Sequence, residues 1–211
     1  MSKNNYLLNK RLKVLVIAKN IIAKDGFNSK AFIKISKNTA INENEIHLLF
    51  PDGYNDIIKF ALDQLNVELE NYCKNLDLIR LPLHKRIRKI ILSKVLIMNK
   101  EKNFYKKLFL SLLLPKRSFS ISKQLYKSID QIWYIAGDTS TDFNFYTKRL
   151  ILAGIYSRVI LFFFNNNNQI SLEKILDTDL QRVAKIPQLK SKINIFKNNF
   201  PSILKFIKNF N

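Results

Sequence analysis

Few side chains of this chain could do chemistry. Its two histidines, His47 and His84, fall outside any Glu-x-x-His spacing, so the carboxylate and histidine cage of a di-iron helical bundle cannot be assembled from them. Asp138 and Asp142 stand four residues apart and could be drawn as a carboxylate pair for acid–base work. Yet Asp138-Thr139-Ser140-Thr141-Asp142 is also a run of short oxygen-bearing side chains ahead of an apolar periodic stretch, which is how a helix N-terminus is capped. Lys148 and Arg149 follow as cations able to pair with those acids. Cys73 is the only cysteine, which excludes an internal disulfide and reads as a small buried apolar residue. Nucleophile elbow, phosphate-cradling glycine loop and Cys/His zinc cluster are all missing. The residues therefore predict a protein that is not an enzyme and has no cofactor and no metal site.

The elements that must position these residues are helices. With four glycines and five prolines in 211 residues, turn chemistry for a many-stranded sheet is lacking, and the fold class is all-α. Ile121, Leu125, Ile129, Ile132 and Ala136 recur at helical spacing and predict a helix that stops at Gly137, a residue able to take positive φ. A second helix is expected from near Asp142, with Tyr146, Leu150, Ala153, Tyr156 or Ser157, and Ile160 along one face.

The segment Trp133-Tyr-x-Ala-Gly-Asp-Thr-Ser-Thr-Asp-Phe-Asn-x-Tyr-Thr-Lys-Arg149 resembles the signature of the ubiquinone-biosynthesis accessory family of the Coq-nine type. The likeness extends with lower fidelity from about residue 11 to 190 and includes Leu49-Phe50-Pro51-x-Gly53. The resemblance implies a non-enzymatic, homodimeric lipid-binding protein with the fold of TetR regulators. It also implies a partner, the di-iron hydroxylase that acts on demethoxyubiquinone. In that family an Asp-x-x-Trp-Tyr segment belongs to the patch that binds the hydroxylase, which maps here onto Asp130, Trp133 and Tyr134. Trp133 falls at the border of its helix's buried stripe, so Trp133→Lys is expected to leave the fold intact and abolish partner binding. Covering the core is the alternative role for an indole at such a border.

Taken in order, Leu12, Leu15, Val16, Lys19 and Ile22 or Ala23 predict a first helix closed at Asp25-Gly26. Asn28 or Ser29 caps a second and Asn42 a third, which is the length pattern of a TetR-type helix-turn-helix over residues 1–76. The functional reading of that module is a DNA-binding regulator with an apolar effector pocket. Its third helix, however, carries Glu43 and Glu45 and neither Lys nor Arg, and carboxylates repel phosphates. DNA is therefore an unlikely partner. Residues 77–186 form the remaining helical bundle. Apolar residues surround Leu108 to Leu114 and Ile160 to Phe164 nearly all round, so these stretches must be buried in the core, at a dimer interface or around an apolar ligand. An elongated cavity for an isoprenoid quinone or other lipid is expected, lined by some of Leu108, Leu112, Leu125, Ile129, Ile132, Tyr146, Leu150, Ala153 and Ile160.

Residues 187–211 show Leu189, Ile193, Phe196, Phe200, Ile203, Leu204 and Ile207 on one face with lysines off it. This is a basic amphipathic helix, suited to an anionic membrane surface or to packing on the protein's own core. Net charge points the same way: 36 basic against 16 acidic residues give +20, which attracts polyanions, although a Lys-, Asn- and Ile-rich composition of the AT-rich-genome kind inflates lysine. No run reaches the roughly 18 to 20 apolar residues of a membrane span, and Val14 to Ala18 is too brief for a secretory signal. The expected location is cytoplasmic, peripheral on the inner face of a bacterial inner membrane, or the matrix side in mitochondria.

Overall fold

A computed structural model describes residues 3–112, 118–138 and 144–184 of the chain, and every regular element among them is helical. The first three helices are α1 (Lys3–Asp25), α2 (Ser29–Thr39) and α3 (Glu43–Leu49). Gly26 ends α1 at φ +80°. Asn28 opens α2 by accepting from the Ala31 N–H at 2.9 Å, and Asn42 opens α3 by accepting from Asn44 at 3.1 Å. Both caps answer N–H groups that have no partner inside the helix. Between α2 and α3 the chain turns at Ala40, which sits at φ +54°, where a Cβ is disfavoured. Thr39 steadies the turn by donating its hydroxyl to the Ile35 carbonyl at 2.9 Å.

The inward face of α1 is set by Val14, Leu15, Ala18 and Ile22, all buried, while Val16 is 62% exposed. The sequence stripe through Val16 is thus displaced by about one residue. The reason is that Val14 and Ala18 share a face with Ile22, whereas the lysine at position 19 cannot continue an apolar stripe.

Four further helices complete the bundle with a fifth long one: α4 (Tyr54–Lys74), α5 (Leu83–Asn99), α6 (Lys102–Leu112), α7 (Ser118–Ala136) and α8 (Asn144–Asn165). The stripe Ile57, Ile58, Phe60, Ala61, Leu65, Leu69 and Cys73 of α4 is buried throughout. It packs on α5 and α7, while α1 lies on α2 and α6, and α7 on α8. In α4 the buried face is the one its periodicity specifies, since that removes the most apolar area from water.

The described helices fall into two compact units, α1 to α8 in one and α9 (Gln169–Ala184) in the other. Asn168 caps α9: its side-chain oxygen accepts from the Ser171 N–H at 2.9 Å. The expected amphipathic segment with Leu189, Ile193, Phe196, Phe200, Ile203, Leu204 and Ile207 lies outside the described residues. Among the described residues no helix is long and apolar enough to cross a membrane.

Candidate functional site

Two features lie close together on α7: an apolar cavity on its inner side and a charged, aromatic end at its C-terminus. The cavity, of about 190 Å³, is walled by α6, α7 and α8 with Leu62 of α4. Leu112, Leu125 and Ile160, expected as lining residues, do line it, joined by Phe109, Tyr156 and Phe164. Its rim includes Leu110 and Leu161, which are 54% and 58% exposed, so it opens to solvent there.

Leu108, Ile129 and Ile132 are buried in the core rather than among the lining residues. Tyr146 and Leu150 are corrections: they are 71% and 75% exposed and stand away from the cavity, as does half-buried Ala153. The expected face holds at Tyr156 and Ile160 and fails at Tyr146, Leu150 and Ala153. In α8 the inward residues are Leu152, Ile155, Tyr156, Val159, Ile160 and Phe163, and a helix apolar on nearly every side offers the sequence no contrast by which to choose.

Sequence reasoning also passed over Ser128. It sits on the buried stripe of α7 between Leu125 and Ile132, is 8% exposed, and lines the cavity together with Tyr156. A small hydroxyl on an apolar stripe was the signal that could have found it.

Behind this wall the core is polar. Lys94 of α5 is 1% exposed, donates to Asn66 Oδ1 at 3.0 Å and lies 5.6 Å from the centre of the Tyr156 ring. Its desolvation pulls the ammonium's pKa down from 10.5 to about 7. Gln131 of α7 donates to the Asn66 backbone carbonyl at 2.6 Å. Burial pushes the Tyr156 phenol well above the ordinary tyrosine value, with Ser128 acting in the opposite direction. Cys73 is buried and its thiol is likewise pushed up, chiefly by desolvation, which leaves it unreactive.

The C-terminal end of α7 is closed by a Schellman turn, in which Asp138 N donates to the Trp133 carbonyl and Gly137 N to that of Tyr134, each at 3.0 Å. Gly137 takes φ +81° there. Arg86 of α5 reaches in and donates to the carbonyls of Ala136, Ile79 and Leu81 at 3.1, 2.9 and 2.7 Å. Asp138 faces Lys148 at 2.8 Å and Arg149 at 3.7 Å, and Arg149 also grips Asp130 at 2.7 Å. The first acid of the run thus serves as an ion-pair anchor between α7 and α8. Thr139 to Asp142, with the capping role expected of them, lie outside the described residues.

This geometry separates the three expected partner-binding residues. Tyr134 is 73% exposed, and Asp130 is partly exposed though paired to Arg149. Trp133 is only 6% exposed, with the Lys148 ammonium 5.6 Å from its ring. The expectation that Trp133→Lys spares the fold is therefore overturned: the indole covers the core, and a lysine there would bury a charge.

In the helix-turn-helix region, Glu45 of α3 is held by Lys10 of α1. His47 stacks on Phe32 with ring centres 5.1 Å apart. Among the described residues no group of three or more His, Cys, Asp or Glu side chains could hold a metal ion.

Comparison with known proteins adds a likeness to one family over part of the chain. Residues 120–187 match the COQ9 family model, a span covering α7, the Asp138 ion pairs, α8 and α9. The chain is 26% identical over 151 residues to the mitochondrial ubiquinone biosynthesis protein COQ9 of Rattus norvegicus, covering 69% of this chain and 48% of that protein. It is 30% identical over 116 residues to COQ9-A of Xenopus laevis, covering 52% and 37%. Against the Homo sapiens protein, 46 residues are 48% identical, covering 22% and 14%. The chain spans about half the length of the rat and Bos taurus relatives. Among solved structures, a TetR transcriptional regulator from Nitrosomonas europaea superposes with a TM-score of 0.69 at 14% identity, covering 82% of this chain and 97% of that one. At that identity the likeness is one of fold.

Proposed function

For this COQ9-type chain with the TetR fold, we propose a non-catalytic role in ubiquinone biosynthesis. It binds an isoprenoid quinone intermediate in the α6–α7–α8 cavity and presents it to the membrane-associated demethoxyubiquinone hydroxylase. The observation that carries this reading is the cavity itself: concave, walled mostly by Leu, Ile and Phe, and open at an apolar rim. Such walls suit an apolar ligand with few polar contacts. Exposed Tyr134, on the same helix as Ser128, is the candidate anchor for the hydroxylase, since an aromatic with a polar tip is a common interface residue. The exposed apolar side chains Tyr146 and Leu150 of α8 support a homodimer formed through that face. The basic sequence of residues 187–211 supports attachment to an anionic membrane, on the matrix side in mitochondria or the inner face of a bacterial inner membrane.

The test is lipid extraction and mass spectrometry on protein purified without detergent. A quinone or isoprenoid species at near-equimolar ratio is expected, and an empty protein would refute the reading. A DNA-binding regulator is the second reading, favoured by the TetR fold and weakened by Glu43 and Glu45 on α3. A gel shift at physiological salt separates the two, because sequence-specific binding at nanomolar affinity would reverse the preference.

A further inference from the structure

The helices that wall the cavity are short of acids. Along α6, α7 and α8 stand eight lysines and arginines against a single carboxylate, Asp130, and Arg149 holds that one. Asp63 of α4, beside the lining residue Leu62, is taken by Lys127. One cation of the set belongs to the cavity itself, because Lys106 of α6 is half-buried and lines it. Among the described residues Lys106 makes no ion pair and no hydrogen bond, and its ammonium is not sealed from solvent. A like charge feels it instead: burial lowers the Lys102 pKa, and Lys106 adds to the effect.

The cavity wall is apolar almost throughout, so the methylene stem of Lys106 supplies the contact there while the ammonium stands out at the mouth. Leu110, one turn further along α6, is more than half exposed and belongs to the open rim. On α7, Gln124 is a second half-buried lining residue, and its amide has no hydrogen bond among the described residues.

Size and polarity decide which end of a lipid goes inside. A cavity of about 150 Å³ accommodates benzene, with its six carbons. By the same measure about 190 Å³ takes roughly eight carbons of a chain, so the remainder of a longer lipid lies beyond the rim. A polar head placed in the apolar interior would lose its water with nothing to replace it. The hydrocarbon end therefore goes in, and the head stays at the mouth, where the unpaired ammonium is.

Resting on the reading of the cavity as a lipid site, we infer that it takes an amphiphile tail-first and selects one with an anionic head, a carboxylate or a phosphate, held at the mouth by Lys106. Gln124 is placed to add a neutral donor. Among the intermediates of that reading, the site then favours one that carries an acidic group.

The experiment loads the full chain with a fluorescent apolar dye and displaces it with three probes of one chain length: decanoate, decyl phosphate and decanol. Wild type should bind the two anions about fivefold more tightly than decanol, the ratio for one charge-assisted hydrogen bond at a partly exposed site. Lys106→Met keeps the stem and removes the charge. It should abolish the preference for both anions and leave decanol binding unchanged, which also shows that the variant is folded. Lys37→Met, at an exposed position of α2, should keep the preference, which separates a local contact from the pull of the net charge of +20. Tighter binding of decanoate than of decyl phosphate assigns a carboxylate head, the reverse a phosphate, and equal binding a site that reads charge alone. Equal binding of anions and decanol by wild type would overturn the inference and leave the lipid cavity standing, as would a preference that survives Lys106→Met or is lost in Lys37→Met. Displacement by none of the three would overturn both.

Discussion

Lys94→Met tests the polar core behind the cavity. Lys94 is 1% exposed, and its pKa falls from 10.5 to about 7 through desolvation, with Asn66 Oδ1 as its hydrogen-bond acceptor. The sign follows from proton counting. Between about 7 and 10.5 the unfolded chain holds a proton that the native protein lacks, so stability rises with pH across that window. Below about 7 both states are protonated and the whole penalty of burying the ammonium is present. That interval of about 3.5 units corresponds to about 5 kcal/mol. Between pH 6 and pH 9, about 2 to 3 kcal/mol of it should be recovered. Methionine keeps the length of the side chain and removes the charge, while leaving Asn66 Oδ1 without its donor costs about 1 kcal/mol. The variant should therefore be a few kcal/mol more stable than wild type at pH 6, with the gap narrowing by about 2 to 3 kcal/mol at pH 9. Urea unfolding of both proteins at the two pH values gives this as a double difference, in which every other titrating group cancels. Equal pH dependence in the two proteins would refute the assignment of a proton-losing buried lysine.

Trp133→Lys should cost about 3 to 5 kcal/mol, the range for deleting a buried aromatic, seen as a melting temperature lower by more than ten degrees or as failure to fold, whereas Tyr134→Lys should melt like wild type and lose the hydroxylase in a pull-down. Gly137→Ala should cost about 1 to 2 kcal/mol, because the added methyl is held at φ +81° and meets Arg86 Nη1 at 3.3 Å; a denaturation midpoint equal to wild type would contradict the Schellman turn. Ala40→Gly should work in the other direction, stabilising by up to about 1 kcal/mol as the strain at φ +54° is relieved, read as a shift of the same midpoint. Leu150→Lys should leave monomer stability unchanged within about 0.5 kcal/mol and, on the proposed dimer face of α8, turn a dimer into a monomer by analytical ultracentrifugation.

Legibility tracked contrast. The caps at Asn28 and Asn42 and the stop at Gly137 could be read because each answers a local requirement of the backbone, a free N–H or a positive φ, that few residue types meet. The buried stripe of α4 could be read because Asp56, Glu68 and Glu70 mark its wet side. In α8 such marks are sparse: from Leu150 to Phe164 only Arg158 is charged, so Tyr146 and Leu150 looked as much like core as Leu152 and Ile155 do. The cavity's own hydroxyls were hidden for another reason. Ser128 and Tyr156 sit four or fewer residues from apolar neighbours on their own helices, and what makes them unusual is their meeting across α7 and α8, a long-range fact. Trp133 was misjudged because a helical wheel places it at a border without showing that Lys148 of α8 folds over that border.

The cavity wall and the C-terminal end of α7 are close neighbours along the helix. Ser128 and Tyr134 are six residues apart on one helix, about 9 Å along its axis, so a partner seated on Tyr134 would lie within two turns of the cavity wall. Between them Asp130 is clamped by Arg149, and Asp138 beyond is clamped by Lys148 and Arg149. These pairs tie α7 to α8, and those two helices supply Ser128 and Tyr156. A partner that drew Asp130 away from Arg149 would loosen the α7–α8 contact on which the cavity's inner wall depends, whereas one that bound Tyr134 alone would leave the wall intact. Asp130→Asn distinguishes the two. On the first account it weakens quinone retention even without a partner, and on the second it leaves both retention and the pull-down unchanged.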